Sequence, residues 1–253
     1  MLIIDSFRYS LKKALLYRAN LISWIIADMS LYLATFLTYY LIIQSVNTIG
    51  DYHNNEILLF VSSFLLVNNI FAIFFSDAVS TFLENILNGK FYGIMLRPRH
   101  VILDSVLSNL NFPPLFTTPL LIAITVFCLN NTYSNFSLIY ILLIICGALT
   151  MGLMFFLVFS LALRGIRVNL IAGIIFQIIQ ISERPDTVLP NRIRSFFVFV
   201  IPIYMFSAVP TRYVLGRATN YEIIWAFAVP IVLCLLLQFS IVQGFKKYKE
   251  GSQ

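Results

Sequence analysis

The chain has 253 residues, of which 60% are hydrophobic and only 11% charged, with a net charge of +6. A soluble domain carries ~25% charged residues, so the composition excludes a water-soluble enzyme and leaves one helical membrane domain. The basic surplus does not signal nucleic acid, because it sits in clusters beside apolar runs, where it meets anionic headgroups.

Residues 1–20 come first. Ile4, Phe7, Leu11 and Leu15 recur at helical spacing, and Arg8 and Lys12 stand four apart on the adjacent face. This predicts an amphipathic helix in the inner interface, either a topology-setting anchor or also a surface for a cytoplasmic partner. The segment is too charged, and the run after it too long, for a cleavable signal.

Runs at 21–46, 57–75, 107–129, 136–163 and 223–245 reach or approach the ~20 residues of a bilayer crossing, and 168–181 adds a shorter sixth. Arg8, Lys12, Lys13 and Arg18 precede the first run, and Lys90, Arg97 and Arg99 follow the second. Arg164 and Arg167 follow the fourth, and Lys246, Lys247 and Lys249 the last. The loops at 47–56 and 130–135 hold no Lys or Arg. By the positive-inside rule both termini are cytoplasmic and the number of crossings is even.

Asp28 lies about seven residues into the first run, ~10 Å along a helix. A carboxylate there faces a pathway or a subunit seam, or snorkels to the inner interface. Residues 80–100 form the second cytoplasmic segment. Ser80 or Thr81 is expected to cap a short helix, with Glu84 at capping-box reach. Gly89 ends it and Pro98 stops any continuation after Leu96. An apolar tetrad of Phe91, Tyr92, Ile94 and Met95 then stands beside Arg97 and Arg99, suited to docking on a motor subunit.

Asn109, Asn111, Pro113, Pro114 and Pro119 predict a kinked or broken third helix. Gln177 and Gln180 share one face of the short run, for hydrogen bonds across a helix pair or contact with substrate. Residues 182–217 are the least regular stretch, with a run interrupted by Pro202 and closed by Pro210. Broken or re-entrant helices at a pathway mouth fit it. That places Arg184, Arg192, Arg194, Arg212 and Arg217 outside, against the charge rule. A rival topology keeps 168–181 at the inner interface and crosses at 196–215.

Little chemistry is available. His53 and His100 fall on opposite sides, so they form no metal pair. Cys128, Cys146 and Cys234 read as small buried apolar residues. No phosphate-binding Gly-rich loop with Lys and Ser/Thr occurs. An ion-coupled secondary transporter and a scaffold subunit remain as alternatives to an ATP-driven one.

Two stretches carry a family resemblance. Residues 88–98, with Gly89, the pair Phe91 and Tyr92, and Leu96-Arg97-Pro98, resemble the loop after the second helix of type-2 ATP-binding-cassette (ABC) exporter permeases. Residues 184–194, then 201–204, 210–212 and 215–216, are similar to that family's external gate segment. The similarity is to a bacterial branch whose members often pair two unlike permeases with one ATPase.

The resemblance implies an all-α integral membrane fold. It has an N-terminal interfacial helix (1–20), six transmembrane helices, and re-entrant external gate helices between the fifth and sixth, all in one permease domain spanning 1–253. It implies no cofactor in this chain, ATP and Mg being held by a separate cytoplasmic ATPase. Within 80–100 the coupling residues would be Glu84, Gly89, Lys90, Phe91, Tyr92, Ile94, Arg97 and Pro98, with the helix itself at 81–95. Asp28, Gln177 and Gln180 would line the pathway or subunit seam. Within 182–217 the gate residues would be Glu183, Arg184, Pro190, Arg194, Pro202 and Pro210. Expected partners are the ATPase, a second permease (more a paralogue than a copy) and membrane lipids, in a bacterial plasma membrane. Export of an amphiphilic, lipid-like, peptide or glycan substrate is the expected activity. The fifth crossing is short, and must borrow from 182–189 or thin the bilayer.

Overall fold

The computed structural model describes residues 12, 16, 18–46, 48–95, 100–132 and 137–250. Most of the interfacial helix expected over 1–20, together with Arg97 and Pro98, lies outside the described residues. Among the described residues five helices are long and apolar enough to cross a membrane: Leu21–Ser45, Asn54–Leu87, Pro113–Asn131, Leu138–Arg164 and Asn220–Lys247. A shorter apolar helix, Leu170–Ile181, follows the fourth.

Helix α1 (Arg18–Ser45) leads into a small antiparallel hairpin of β1 (Thr48–Ile49) and β2 (Tyr52–His53), with Ile49 opposite Tyr52. Gly50 turns it with φ 62°, and a Cβ there would collide with the Thr187 side chain. That side chain accepts a hydrogen bond from the Asp51 amide at 3.1 Å. Only glycine meets both demands.

Helix α2 (Asn54–Phe71) passes through a π-turn at Ala72–Ser76 into α3 (Asp77–Leu87), making one rod. The expected new helix start at Ser80 or Thr81 is therefore corrected. The Ser80 hydroxyl donates to the Ser76 carbonyl at 3.0 Å, the mid-helix habit of serine. Helix α4 (Phe91–Met95) follows a turn in which Gly89 takes φ 73°.

The third run is broken into α5 (Val101–Ser108) and α6 (Pro113–Asn131). Pro113 opens α6 at a position whose N–H needs no helical partner. The break and the π-turn compensate each other. The Asn111 amide donates to the Ile73 carbonyl at 2.9 Å, and Asn111 Nδ2 to Ser76 Oγ at 3.3 Å. One turn away, buried Asn69 donates to the Pro114 carbonyl (3.1 Å) and Thr117 (3.0 Å). Polar residues thus join α2 to α6 where apolar burial cannot, since lipid is as apolar as leucine.

Helix α7 (Leu138–Ser160) ends in a 3₁₀ turn, Leu161–Arg164, and α8 (Val168–Ile181) returns. Three short pieces follow: a turn at Asp186–Val188, α9 (Asn191–Phe199), and a turn at Ile203–Met205 leading to α10 (Ala208–Val214). Helix α11 (Asn220–Glu250) closes the fold. The core centres on α2 and α7, where Leu59, Phe60, Leu65, Tyr140 and Phe156 are fully buried. Helix α11 lies along α7, joined by a 2.6 Å hydrogen bond between Ser160 and Ser240.

The two ends of the bundle differ. One end gathers the hairpin, the starts of α7 and α11 and residues 182–217: Tyr39 donates to the Glu183 carbonyl at 2.7 Å, and Tyr213 lies 3.4 Å from Ser137. The opposite end gathers α3, α4, the Leu161–Arg164 turn and the tail of α11: Tyr92 stacks on Phe245, and Arg164 donates to Gln243 at 3.2 Å. Helix α8 runs from the second end to the first. Its 14 residues span about 21 Å at 1.5 Å per residue. It does not borrow from 182–189, because Ser182 closes it in a turn and the chain bends away at Pro185.

Candidate gate and coupling sites

At the hairpin end, five elements converge on one buried carboxylate. Asp186 is fully buried, with Arg194 Nε of α9 at 2.7 Å and Arg212 Nη1 of α10 at 3.3 Å. The Tyr52 hydroxyl of β2 donates to its other oxygen at 2.9 Å. Arg212 Nη1 also meets Glu222 Oε1, in the first turn of α11, at 3.0 Å. Arg212 is itself 3% exposed, and its Nε and Nη2 have no hydrogen-bond partner among the described residues. Among the described residues its charge leans on Asp186 and Glu222. Burial pushes the Asp186 carboxyl above its ordinary range, opposed by the Arg212 charge and the Tyr52 hydrogen bond. Burial, then the charge of Asp186, raises Tyr52, so its hydroxyl stays protonated and donates.

Two glutamates do double duty. Glu222 accepts from the Thr219 amide at 3.0 Å while Thr219 Oγ1 accepts from the Glu222 amide at 3.3 Å, a capping box for α11. Glu56 likewise accepts from the His53 amide at 2.9 Å at the start of α2. Its carboxylate also takes a two-pronged contact from Arg217, at 2.7 and 3.0 Å. Helix caps and ion pairs thus fix the segment onto the hairpin and onto α11.

Of the expected gate residues, only Arg194 enters this network. Glu183 is half-buried, with burial raising its carboxyl against the pull of Arg184, and its carbonyl accepts from Tyr39. Arg184 and Pro190 are exposed, Pro190 preceding α9; Pro202 and Pro210 are buried at the turns around Ile203–Met205 and α10. Reading by residue type missed Tyr52, Glu56, Asp186, Arg212, Arg217 and Glu222 as one unit. A signal existed for Glu222: a glutamate three residues after Thr219 is a helix-start signature.

At the opposite end, Phe91 is fully buried, edge-on to Phe82 at 5.6 Å, which in turn meets Phe156 at 5.2 Å. The expectation that Phe91 presents a docking face is corrected: its ring pins α4 to this chain's own α3 and α7. Glu84, Leu87, Gly89, Lys90 and Tyr92 are exposed, and Ile94 half-buried.

The expected seam residues stand on two lightly covered helices. Gln177 and Gln180 are exposed on α8, whose neighbouring Gly173 faces open space. Asp28 is half-buried on α1, with no ion pair among the described residues. The described residues contain no cluster of three or more metal-ligating side chains.

Replacing Asp186 by Asn should destabilise the folded protein by about 3–5 kcal/mol, the cost of leaving a buried charge without its partner. Arg217→Ala, at a partly exposed pair, should cost under about 1 kcal/mol. Thermal unfolding of the purified chain in detergent, with limited proteolysis inside 182–217, checks the contrast; equal effects would refute it.

The profile of the family described as ABC-2 family transporter protein matches residues 29–252, nearly the whole chain. No curated protein and no solved structure gives a match. The match takes in α2 to α11 and most of α1, and a family of membrane components that work with a separate ATPase agrees with five long apolar helices and no nucleotide-binding loop. The chain belongs to the ABC-2 transporter family and is a multi-pass permease subunit of an ABC transporter.

Proposed function

We propose that the chain is one half of an exporter, with six crossings, both termini in the cytoplasm of a bacterial cell and residues 182–217 as an external gate. The observation that carries this reading is that 182–217 starts and finishes at the hairpin end, held there by Tyr39–Glu183 and Arg217–Glu56 contacts. A segment tied at both ends to one side is not a crossing. Helix α8 then has to be the fifth crossing, despite being short, with the bilayer thinned around it. Three of the five external arginines also lose their cost, because Arg194, Arg212 and Arg217 are paired with carboxylates on the spot.

The opposite end, rich in Lys and Arg, faces the cytoplasm. There α3 and α4 form the coupling segment, and the exposed Glu84, Leu87, Lys90 and Tyr92 meet the ATPase, which holds ATP and Mg. Arg97 and Pro98 continue this segment. ATP-driven closure of the ATPases swings α2 and α3, a single rod, and so moves the external cap through Glu56. The substrate is amphiphilic: lipid-like, peptide or glycan.

The second half is a paralogue. Polar Gln177 and Gln180 on the open face of α8, and Asp28 on α1, with no ion pair among the described residues, are poor lipid-facing groups and belong at a seam or pathway. Two Asp28 carboxylates meeting at a two-fold axis would repel in low dielectric. A partner that offers a basic or hydrogen-bonding group removes that cost.

Three measurements test this reading. Impermeant thiol labelling of single cysteines on intact cells should mark positions 187 and 191 and spare position 90; protection at 187 and 191 overturns the orientation. Leu87→Asp with Tyr92→Asp should release the ATPase during purification while the permease stays in the membrane, whereas full retention overturns the coupling assignment. Pulling on one of two differently tagged copies, co-expressed with neighbouring genes, should recover an unlike permease. Recovery of the second copy as main partner refutes the heterodimer.

A further inference from the structure

Between α2, α6 and α7 lies a cavity of about 260 Å³ with no polar lining surface. Its back wall is buried Leu66, Thr125, Tyr140 and Ile144, and its mouth is formed by Ile122 of α6 and Ile145 of α7, 47% and 40% exposed. The hydroxyls around it are turned to other partners. Thr125 donates to the Leu121 carbonyl at 2.8 Å, Tyr140 lies 2.8 Å from Ser63, and Thr118 lies 2.8 Å from Asn69 Oδ1. Water in a buried site needs two to four polar partners, and apolar cavities even of about 150 Å³ stay dry and take up apolar ligands. An empty volume here would forfeit the contacts that close packing supplies.

The surroundings name the occupant. All three helices are membrane-spanning candidates, and the mouth opens sideways between two of them, onto an outer face of exposed apolar side chains that includes Ile122, Val126, Leu142 and Leu149. Tyr140 to Ile145 fall in the first eight residues of α7, about 3–11 Å below the hairpin end. The mouth therefore faces the leaflet on that side. No charge or free donor is present to hold a headgroup inside, so what enters is a hydrocarbon chain.

We propose that this cavity is a binding site for one acyl chain of a phospholipid from the leaflet at the hairpin end. The chain enters between Ile122 and Ile145 and ends against Leu66 and Ile144, filling the gap between α6 and α7 as a structural ligand. This inference is independent of the export direction, of the gate and of the partner permease.

The test uses the full chain, purified with its complex into nanodiscs containing phosphatidylglycerol that carries a diazirine on one acyl chain. After illumination, peptides spanning 118–125 and 140–145 should carry the adduct in preference to peptides from the exposed faces of α1 and α11. Ile145→Trp and Ile122→Trp block the mouth and should lower that labelling roughly tenfold, as expected for displacing a few buried methylenes. Leu235→Trp, on the exposed face of α11, should leave it unchanged. Ile145→Ala, which widens the mouth without overpacking, should retain it and guards against a folding defect in the tryptophan variants. Labelling spread evenly over all lipid-facing helices, or unaffected by blocking the mouth, overturns the proposal. Loss of the ATPase in the same preparations would bear on the coupling assignment and leave this result standing.

Discussion

The architecture of the hairpin end depends on Asp186. One buried carboxylate holds together a β-hairpin, a loop and two short helices, and through Arg212 and Glu222 the start of the last long helix. None of these pieces is long enough to be stable alone, since helices below ~12–15 residues are marginal in water. Apolar burial cannot do the job at a membrane surface, where lipid competes for the same side chains. Charges taken out of water and paired with good geometry can, at the cost of total dependence on each partner.

The same logic explains how the long helices are joined. Asn69 reaches the turn that starts α6, Asn111 satisfies a π-turn carbonyl, and Ser63, Tyr140 and Thr211 lie in a buried row. Each is a short polar contact between helices that would otherwise prefer lipid to one another. The broken third run and the π-turn in the second face each other at one level. At that level the rod of α2 and α3 departs from regular α-helix without stranding the freed backbone groups. Phe91 complements this by locking α4 onto α3 through Phe82.

Helices α1 and α8 pack at the edge of that core, through Tyr32 and Ile43 and through Val168 and Ile179. Gln177 and Gln180 are exposed on α8 and Asp28 is half-buried on α1, while α2 and α7 are mostly buried. The fold thus concentrates its interhelical hydrogen bonds at the centre and leaves these polar groups on two flanking helices.

The sequence by itself determined the membrane class, the positions of the apolar runs, the break at Asn109 to Pro113 and the turn at Gly89. These follow from length, periodicity and the backbone limits of Pro and Gly, which are local properties. It also determined the family, through motifs that keep their order along the chain. Tertiary structure alone decided which charges meet. Tyr52 and Asp186 are 134 positions apart and Glu56 and Arg217 161 apart, so no local pattern links them. It decided as well that Ser80 continues a helix and that Phe91 points inward, because an apolar ring beside a cytoplasmic helix looks the same in sequence whether it packs on its own chain or on a partner. An arginine's weight in charge counting depends on whether a carboxylate neutralises it, and only the fold brings Asp186 within 3 Å of Arg194 and Glu56 within 3 Å of Arg217.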